Sequence, residues 1–254
     1  MEGSQLHSQG KLYIVGIGPG GAGHMTGRAV AAISESEYVL GNSTYMQQVK
    51  HLLGGKKAMP SGMGDEVERA KRAVGLASSH IVSLVSGGDA NVYGMAGIVF
   101  EVAAGIDVDI EVVPGVTALS AASALLGAPL VTDFAVISLS DLLTPWEKIV
   151  KRLECAASSD FVIAIYNPKS RGRSTHFAGA VEIIRKYRAG TVPVGIVKNA
   201  TRDGETAIVT TLDRVLEHSD VVDMSTTIII GNSESMMHGS RIVTPRGYRN
   251  KYEY

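Results

Sequence analysis

The chain has 254 residues, 45% of them hydrophobic and 19% charged, enough to bury a large core in one long domain or two shorter ones. Its 24 basic and 25 acidic side chains leave a formal net charge of −1, so no global field favours nucleic acid or an anionic membrane, and a small-molecule partner is expected. The single cysteine, Cys155, excludes an intramolecular disulfide, no apolar run reaches the length of a membrane span, and the seven histidines lack a ligand spacing; these predict a cytoplasmic protein without a bound metal.

Residues 1–10 are polar, lack the basic and apolar regions of a signal peptide, and read as a flexible tail. Short apolar runs then predict strands over 12–15, 38–40, 81–85 and 108–113, alternating with helices over 25–33, 44–53, 66–77, 94–104 and 118–126. That alternation is the rhythm of a mostly parallel sheet. Asp65 with Glu68 matches a capping box ahead of an apolar stripe at Val67, Ala70, Val74 and Ala77. The small-residue helix stops near Gly127-Ala128-Pro129-Leu130, which sets a boundary between an α/β domain over 11–128 and a second over 132–243, with a flexible tail over 244–254. In the second domain, strands are predicted over 134–139, 161–166, 194–197, 207–210 and 227–230, and helices over 145–157, 178–187 and 212–217. Thr144, Pro145 and Glu147 supply an N-cap, a first-turn proline and a capping acid for the first of these helices.

Three glycine-rich turns follow predicted strands: Gly16-Ile17-Gly18-Pro19-Gly20-Gly21, Val85-Ser86-Gly87-Gly88-Asp89-Ala90, and Pro114-Gly115-Val116-Thr117-Ala118. Glycine permits φ > 0 and close approach of a ligand, and open α/β sheets bind ligands beyond the carboxyl ends of their strands. Asp89 places a carboxylate among amides there, and an Asx-type turn onto its own backbone is the structural alternative. Gly16, Gly18 and Gly21 also satisfy the dinucleotide pattern G-x-G-x-x-G. Against that reading, Pro19 removes an amide donor, and the strand ending in Gly41-Asn42 lacks the acid expected to bind a ribose. No Lys-Ser or Lys-Thr follows the loop, so it is not a Walker sequence.

The chain resembles the tetrapyrrole methylases, from Tyr13–Gly20 through Val85–Ala96 and Val113–Ala118 to Thr227-Ile228-Ile229-Ile230-Gly231-Asn232. Met25-Thr26, Ile137–Trp146, Tyr166-Asn167-Pro168-Lys169-Ser170 and Val197-Lys198-Asn199-Ala200 resemble its corrin-ring-contracting branch. The resemblance implies two α/β domains with a cofactor cleft between them, a homodimer, and methylation of carbon 17 of precorrin-3B or cobalt-precorrin-3 in cobalamin biosynthesis. S-adenosylmethionine would be the methyl donor and S-adenosylhomocysteine the product. Pro19, Gly87, Gly88, Asp89, Val92, Thr117, Ala118, Tyr166, Asn199 and Ala200 would line the cofactor pocket, with Thr227 or Ile228 near the adenine.

The methyl of S-adenosylmethionine is already activated, so such a site needs alignment rather than a nucleophile, in keeping with a sequence that shows no Ser/His/Asp or Cys/His arrangement. Ring contraction would benefit from a proton donor or acceptor. Asp141, Tyr93 and His24 are candidates, with a cap, a wall residue and a surface residue as their structural alternatives. The implied substrate carries many carboxylates, which Lys169, Arg171 and Arg173, and Lys198 with Arg202, would hold unless these are ordinary solvated charges. Any cobalt would arrive within the substrate. Another tetrapyrrole methylase, diphthine synthase, a nicotinamide-dependent oxidoreductase and a noncatalytic ligand-binding protein are the alternatives.

Overall fold

The computed structural model describes residues Gly10–Glu253; of the tail expected over 1–10, residues 1–9 lie outside them, as does Tyr254, while Gly10 is buried against the Ala77 carbonyl. The chain forms two compact units that divide between Ala118 and Leu119.

In the first unit, β1 (Lys11–Gly16), α1 (Gly27–Glu35), β2 (Tyr38–Asn42), α2 (Ser43–Gln48), β3 (Lys57–Ser61), α3 (Glu66–Leu76), β4 (Ile81–Ser86), α4 (Ala96–Val102) and β5 (Asp109–Val113) follow one another. The strands form a wholly parallel sheet in the order β3-β2-β4-β1-β5. Leu12, Ile14 and Leu84 pack with α3 and α4 on one face, while Tyr13, Val15 and Val85 pack with α1 on the other. Both faces are covered, which is why these strands read as continuous apolar runs. Thr26 caps α1 by accepting the Ala29 N–H at 3.1 Å.

The capping box at Asp65 does not form. Asp65 turns back to accept the Gly62 N–H at 2.8 Å, and Glu66 accepts that of Gly64 at 3.2 Å, so both acids close the preceding turn. Strand β3 escaped the sequence reading because it is an edge strand with little apolar alternation, and Pro60 is tolerated at such an edge.

The second unit contains α5 (Ala118–Leu126), β6 (Gly127–Ala128), β7 (Phe134–Ser138), α6 (Trp146–Ser158), β8 (Val162–Tyr166), α7 (His176–Arg185), β9 (Pro193–Lys198), β10 (Thr206–Thr211), β11 (Thr226–Ile230), β12 (Met236–His238) and β13 (Arg241–Val243). Its main sheet runs β10-β9-β11-β8-β7; only β7 and β8 are parallel. Helices α6 and α7 cover one face through Ile149, Leu153, Phe177 and Ile184, and α5 covers the other through Leu119, Ala122 and Leu126. That packing of α5 against Val162, Ala164, Val197 and Ile229 explains why the units divide at residue 118 rather than near 128.

Helix α6 starts one residue later than expected, with Pro145 as the cap and no side-chain cap bond; the Pro145 carbonyl accepts from Lys148 and Ile149 instead. The helix expected over 212–217 is a single 3-10 turn, Val215–His218. The tail expected over 244–254 begins with an anchored residue: Thr244 is fully buried, donates its N–H to the Ala128 carbonyl and shares a 2.7 Å hydroxyl contact with Ser235, and Tyr248–Asn250 form a 3-10 turn.

Candidate functional site

Because β4, β1 and β5 are neighbours and parallel, their carboxyl-end loops come together. The contact is backbone to backbone. Gly18 and Gly88 exchange two hydrogen bonds, of 3.0 and 2.8 Å, and both have positive φ, +81° and +66°. A Cβ on Gly115 would lie 2.2 Å from the Gly88 carbonyl oxygen, and one on Gly16 would lie 2.7 Å from the Gly115 nitrogen. Gly87 faces Tyr45, whose ring would be 2.3 Å from a Cβ there. Gly16, Gly18, Gly88 and Gly115 thus serve the junction of the loops themselves, while Gly87 makes room for the Tyr45 ring.

Asp89 binds this junction. One carboxylate oxygen accepts the Gly115 N–H at 2.9 Å, and the other accepts that of Asn91 at 2.8 Å, the Asx turn weighed from sequence plus a bond across loops. Pro19 is buried, Val92, Thr117 and Ala118 are half-buried, and Thr117 and Ala118 stand beside Gly88. Thr26 adds a 3.3 Å bond to the Pro114 carbonyl. Tyr93 is 55% exposed with φ +54°, and His24 is exposed in the 3-10 turn Ala22–His24. At the end of β2, the Asn42 side chain caps α2 through the Thr44 N–H at 2.9 Å, so the place of a ribose-binding acid is taken by a helix cap.

In the second unit, Tyr166 ends β8 and its hydroxyl accepts the Leu119 N–H of α5 at 2.7 Å. Ala200 is buried in the same layer, while Asn199 and Thr201 hold φ of +53° and +64°. Side chains alternate along β11: Ile229 joins the α5 layer, and Ile228 the α6–α7 core. Thr227 therefore shares the face of Tyr166 and Ala200. The Ile228 side chain is fully buried in the α6–α7 core, so any part it takes beside an adenine would fall to its backbone.

The basic residues are largely committed within the protein. Arg173, expected to meet substrate, is buried; it donates to Ser140 Oγ at 3.0 Å and the Asn167 carbonyl at 3.3 Å and lies 3.6 Å from Asp141. It is a clamp between two strand-end loops. Lys169 donates to the Ser219 carbonyl at 2.8 Å, and Lys198 pairs with Asp223 at 2.7 Å. Arg171 is exposed.

Asp141 accepts from His176 Nε2 at 3.1 Å, and His176 packs edge-on against Trp146, with ring centroids 4.2 Å apart. Burial pushes the Asp141 carboxyl up, but its own backbone N–H, His176 and Arg173 together hold it below the ordinary value. It is therefore ionised at neutral pH, and the same contacts make it a weaker base than an ordinary aspartate. His176 escaped the sequence reading because 35 residues separate it from Asp141, and no local pattern pairs them.

The sequence profile of the Tetrapyrrole (Corrin/Porphyrin) Methylases matches residues 11–216. The chain is 49% identical over 97% of its length to the cobalamin biosynthesis protein CbiHC of Archaeoglobus fulgidus, and spans 55% of that protein. It spans about half, 46%, of the cobalt-factor III methyltransferase of Priestia megaterium as well, at 45% identity over 96% of this chain. The probable cobalt-factor III C(17)-methyltransferase of Salmonella typhimurium is 45% identical, with 93% of this chain and 99% of that protein covered. Among solved structures, the methyltransferase CobJ superposes with a TM-score of 0.87 at 32% identity, covering 93% of this chain and all of that one. The uroporphyrin-III C-methyltransferase of Thermus thermophilus, complexed with S-adenyl homocysteine, superposes with a TM-score of 0.68 at 26% identity, covering 87% of this chain and 92% of that one.

Proposed function

The chain belongs to the tetrapyrrole methylases, and from that premise we propose that it methylates carbon 17 of a corrin precursor, precorrin-3B or its cobalt-bearing counterpart, with contraction of the ring. The observation that carries this reading is the junction of the three glycine turns at the carboxyl ends of β1, β4 and β5, the position where open parallel sheets bind ligands.

The residues fit S-adenosylmethionine better than a nicotinamide dinucleotide. Asn42 is spent on a helix cap where a ribose acid would stand, and Pro19 has no N–H to give a diphosphate. In the first unit Pro19, the Gly87–Asp89 turn, Val92 and Thr117-Ala118 would hold the cofactor; in the second, Tyr166, Asn199-Ala200 and Thr227 would do so. When bound, the cofactor supplies a methyl group activated by its sulfonium, so the chain's own task is to orient the reactants and exclude water. Asp89 fixes the turn by bonding two loop amides. Of Asp141, Tyr93 and His24, Asp141 is the candidate proton acceptor favoured here, because His176 and Arg173 fix its place on the loop, although the same contacts lower its basicity.

The protein would work in the cytoplasm as a homodimer. No helix among the described residues is long and apolar enough to cross a membrane, and the edge strand β12 leaves Met236 and Met237 45% and 48% exposed, a surface suited to a second copy. The test is calorimetric titration with S-adenosylmethionine and with NADH, followed by a single turnover with each corrin precursor read by mass spectrometry. Gain of one methyl mass is expected. Binding of NADH without S-adenosylmethionine, or no methyl gain with either precursor, would reject the reading.

A further inference from the structure

The loop between β7 and α6 is anchored at both ends and bare at its tip. At its root, Leu139 donates its N–H to the Tyr166 carbonyl at 3.0 Å, and Ser138 Oγ accepts from Asn167 Nδ2 at 2.9 Å. Ser140 and Asp141 are held by the buried Arg173, and Asp141 also by His176. At its far end, Trp146 packs on the same His176 ring. Between these anchors, Leu142 and Leu143 are 84% and 97% exposed, the two most exposed large hydrophobic residues of the described chain.

Scattered surface leucines need no explanation, but two adjacent ones presented by a loop with this many anchors form a fixed apolar projection. The loop leaves the sheet beside Tyr166 and Asn167, on the strand-end edge already assigned to ligand binding. The charges at its root are paired with one another, so Leu142 and Leu143 supply most of the tip's exposed surface beside the paired Asp141. A tetrapyrrole carries its carboxylates on the rim of the ring, and its broad face is the part that such a surface fits.

We propose that Leu142 and Leu143 are specificity-determining residues that pack against the apolar face of the tetrapyrrole, on a loop positioned by Arg173 and His176. The proposal rests on the methylase reading above and deepens it by naming the part of the substrate recognised.

The test compares wild-type protein with Leu142→Ser/Leu143→Ser and with Leu143→Ser alone. Trp146, the only tryptophan in the sequence, reports tetrapyrrole binding through quenching of its fluorescence. Precorrin-3B and cobalt-precorrin-3 are the probes; S-adenosylhomocysteine affinity, melting temperature and solution mass are measured alongside. Because both side chains are exposed, melting temperature, mass and S-adenosylhomocysteine affinity should stay constant. Tetrapyrrole affinity should fall about tenfold or more in the double variant, since two leucines lose their burial on binding. Leu142→Met/Leu143→Met should restore it. Unchanged tetrapyrrole affinity would overturn the proposal, and so would a change in solution mass, which would assign the leucines to a contact between copies. Wild-type protein that binds S-adenosylhomocysteine but neither tetrapyrrole would instead reject the substrate reading itself.

Discussion

A Cβ on Gly115 would sit 2.2 Å from the Gly88 carbonyl oxygen, whereas one on Gly88 meets nothing closer than 3.6 Å. Gly88 is required by its φ of +66°, and Gly115 by its contact with fixed backbone. Gly115→Ala should therefore cost more than about 3 kcal/mol, the top of the usual overpacking range. Gly88→Ala should cost about 1–2 kcal/mol, and Gly88→Asn less, because asparagine visits the left-handed region more readily. Urea denaturation midpoints in any other order would show that the junction relaxes. The basic loop gives a second contrast. Arg173→Glu removes a buried guanidinium from Ser140, Asn167 and Asp141 and should destabilise the protein by about 3 kcal/mol or more, while Arg171→Glu should stay within about 0.5 kcal/mol. Equal melting temperatures for the two would reject the clamp. Sequence alone could not separate these neighbours, since the partners of Arg173 lie at Ser140 and Asp141, across a fold that the loop's composition does not encode.

Elements were legible where burial wrote a pattern, and less so where connections decided the outcome. Strands β1, β4 and β8 are apolar almost throughout because both faces are covered, whereas β12 and β13 are three-residue strands without a run to read. Helix α1 shows a link invisible in sequence. Arg28 grips Glu111 of β5 with bonds of 2.8 and 2.9 Å and reaches Glu35 at 3.2 Å, while Tyr13 donates to Glu35 at 2.5 Å. Hydrogen bonds from Arg28 and then Lys11 hold the Glu111 carboxyl down at about 2. Because its folded value lies below the ordinary carboxylate value, the clamp's contribution is fully present above that ordinary value and is lost as pH falls from there toward about 2. Acid unfolding of the wild type should steepen across that window, and Glu111→Gln should flatten it; superimposable acid-unfolding curves would show that solvent screening leaves the clamp without effect.

Across the whole molecule, the parallel first sheet and the division into two units follow from repeated strand–helix alternation, although the exact division depends on which core α5 joins, and its small apolar residues fit either side of the boundary read from sequence. Charge is a property the sequence does report directly, and the structure sharpens it. The formal net charge is −1, and Lys169, Arg173 and Lys198, all expected to greet substrate carboxylates, are bound to Ser219, Asp141 and Asp223. Cations already engaged within the protein contribute little to long-range attraction of an anionic ligand, and exposed charges further apart than the Debye length, about 8 Å at physiological ionic strength, are screened. Tetrapyrrole affinity should therefore depend weakly on salt, changing by less than about threefold between about 50 and 200 mM, because contact with the ring face rather than ion pairing at the rim would supply most of it. Fluorescence titrations at several salt concentrations measure this directly. A steep loss of affinity with salt would mean that the substrate displaces these internal partners, and would return Lys169 and Lys198 to the substrate site.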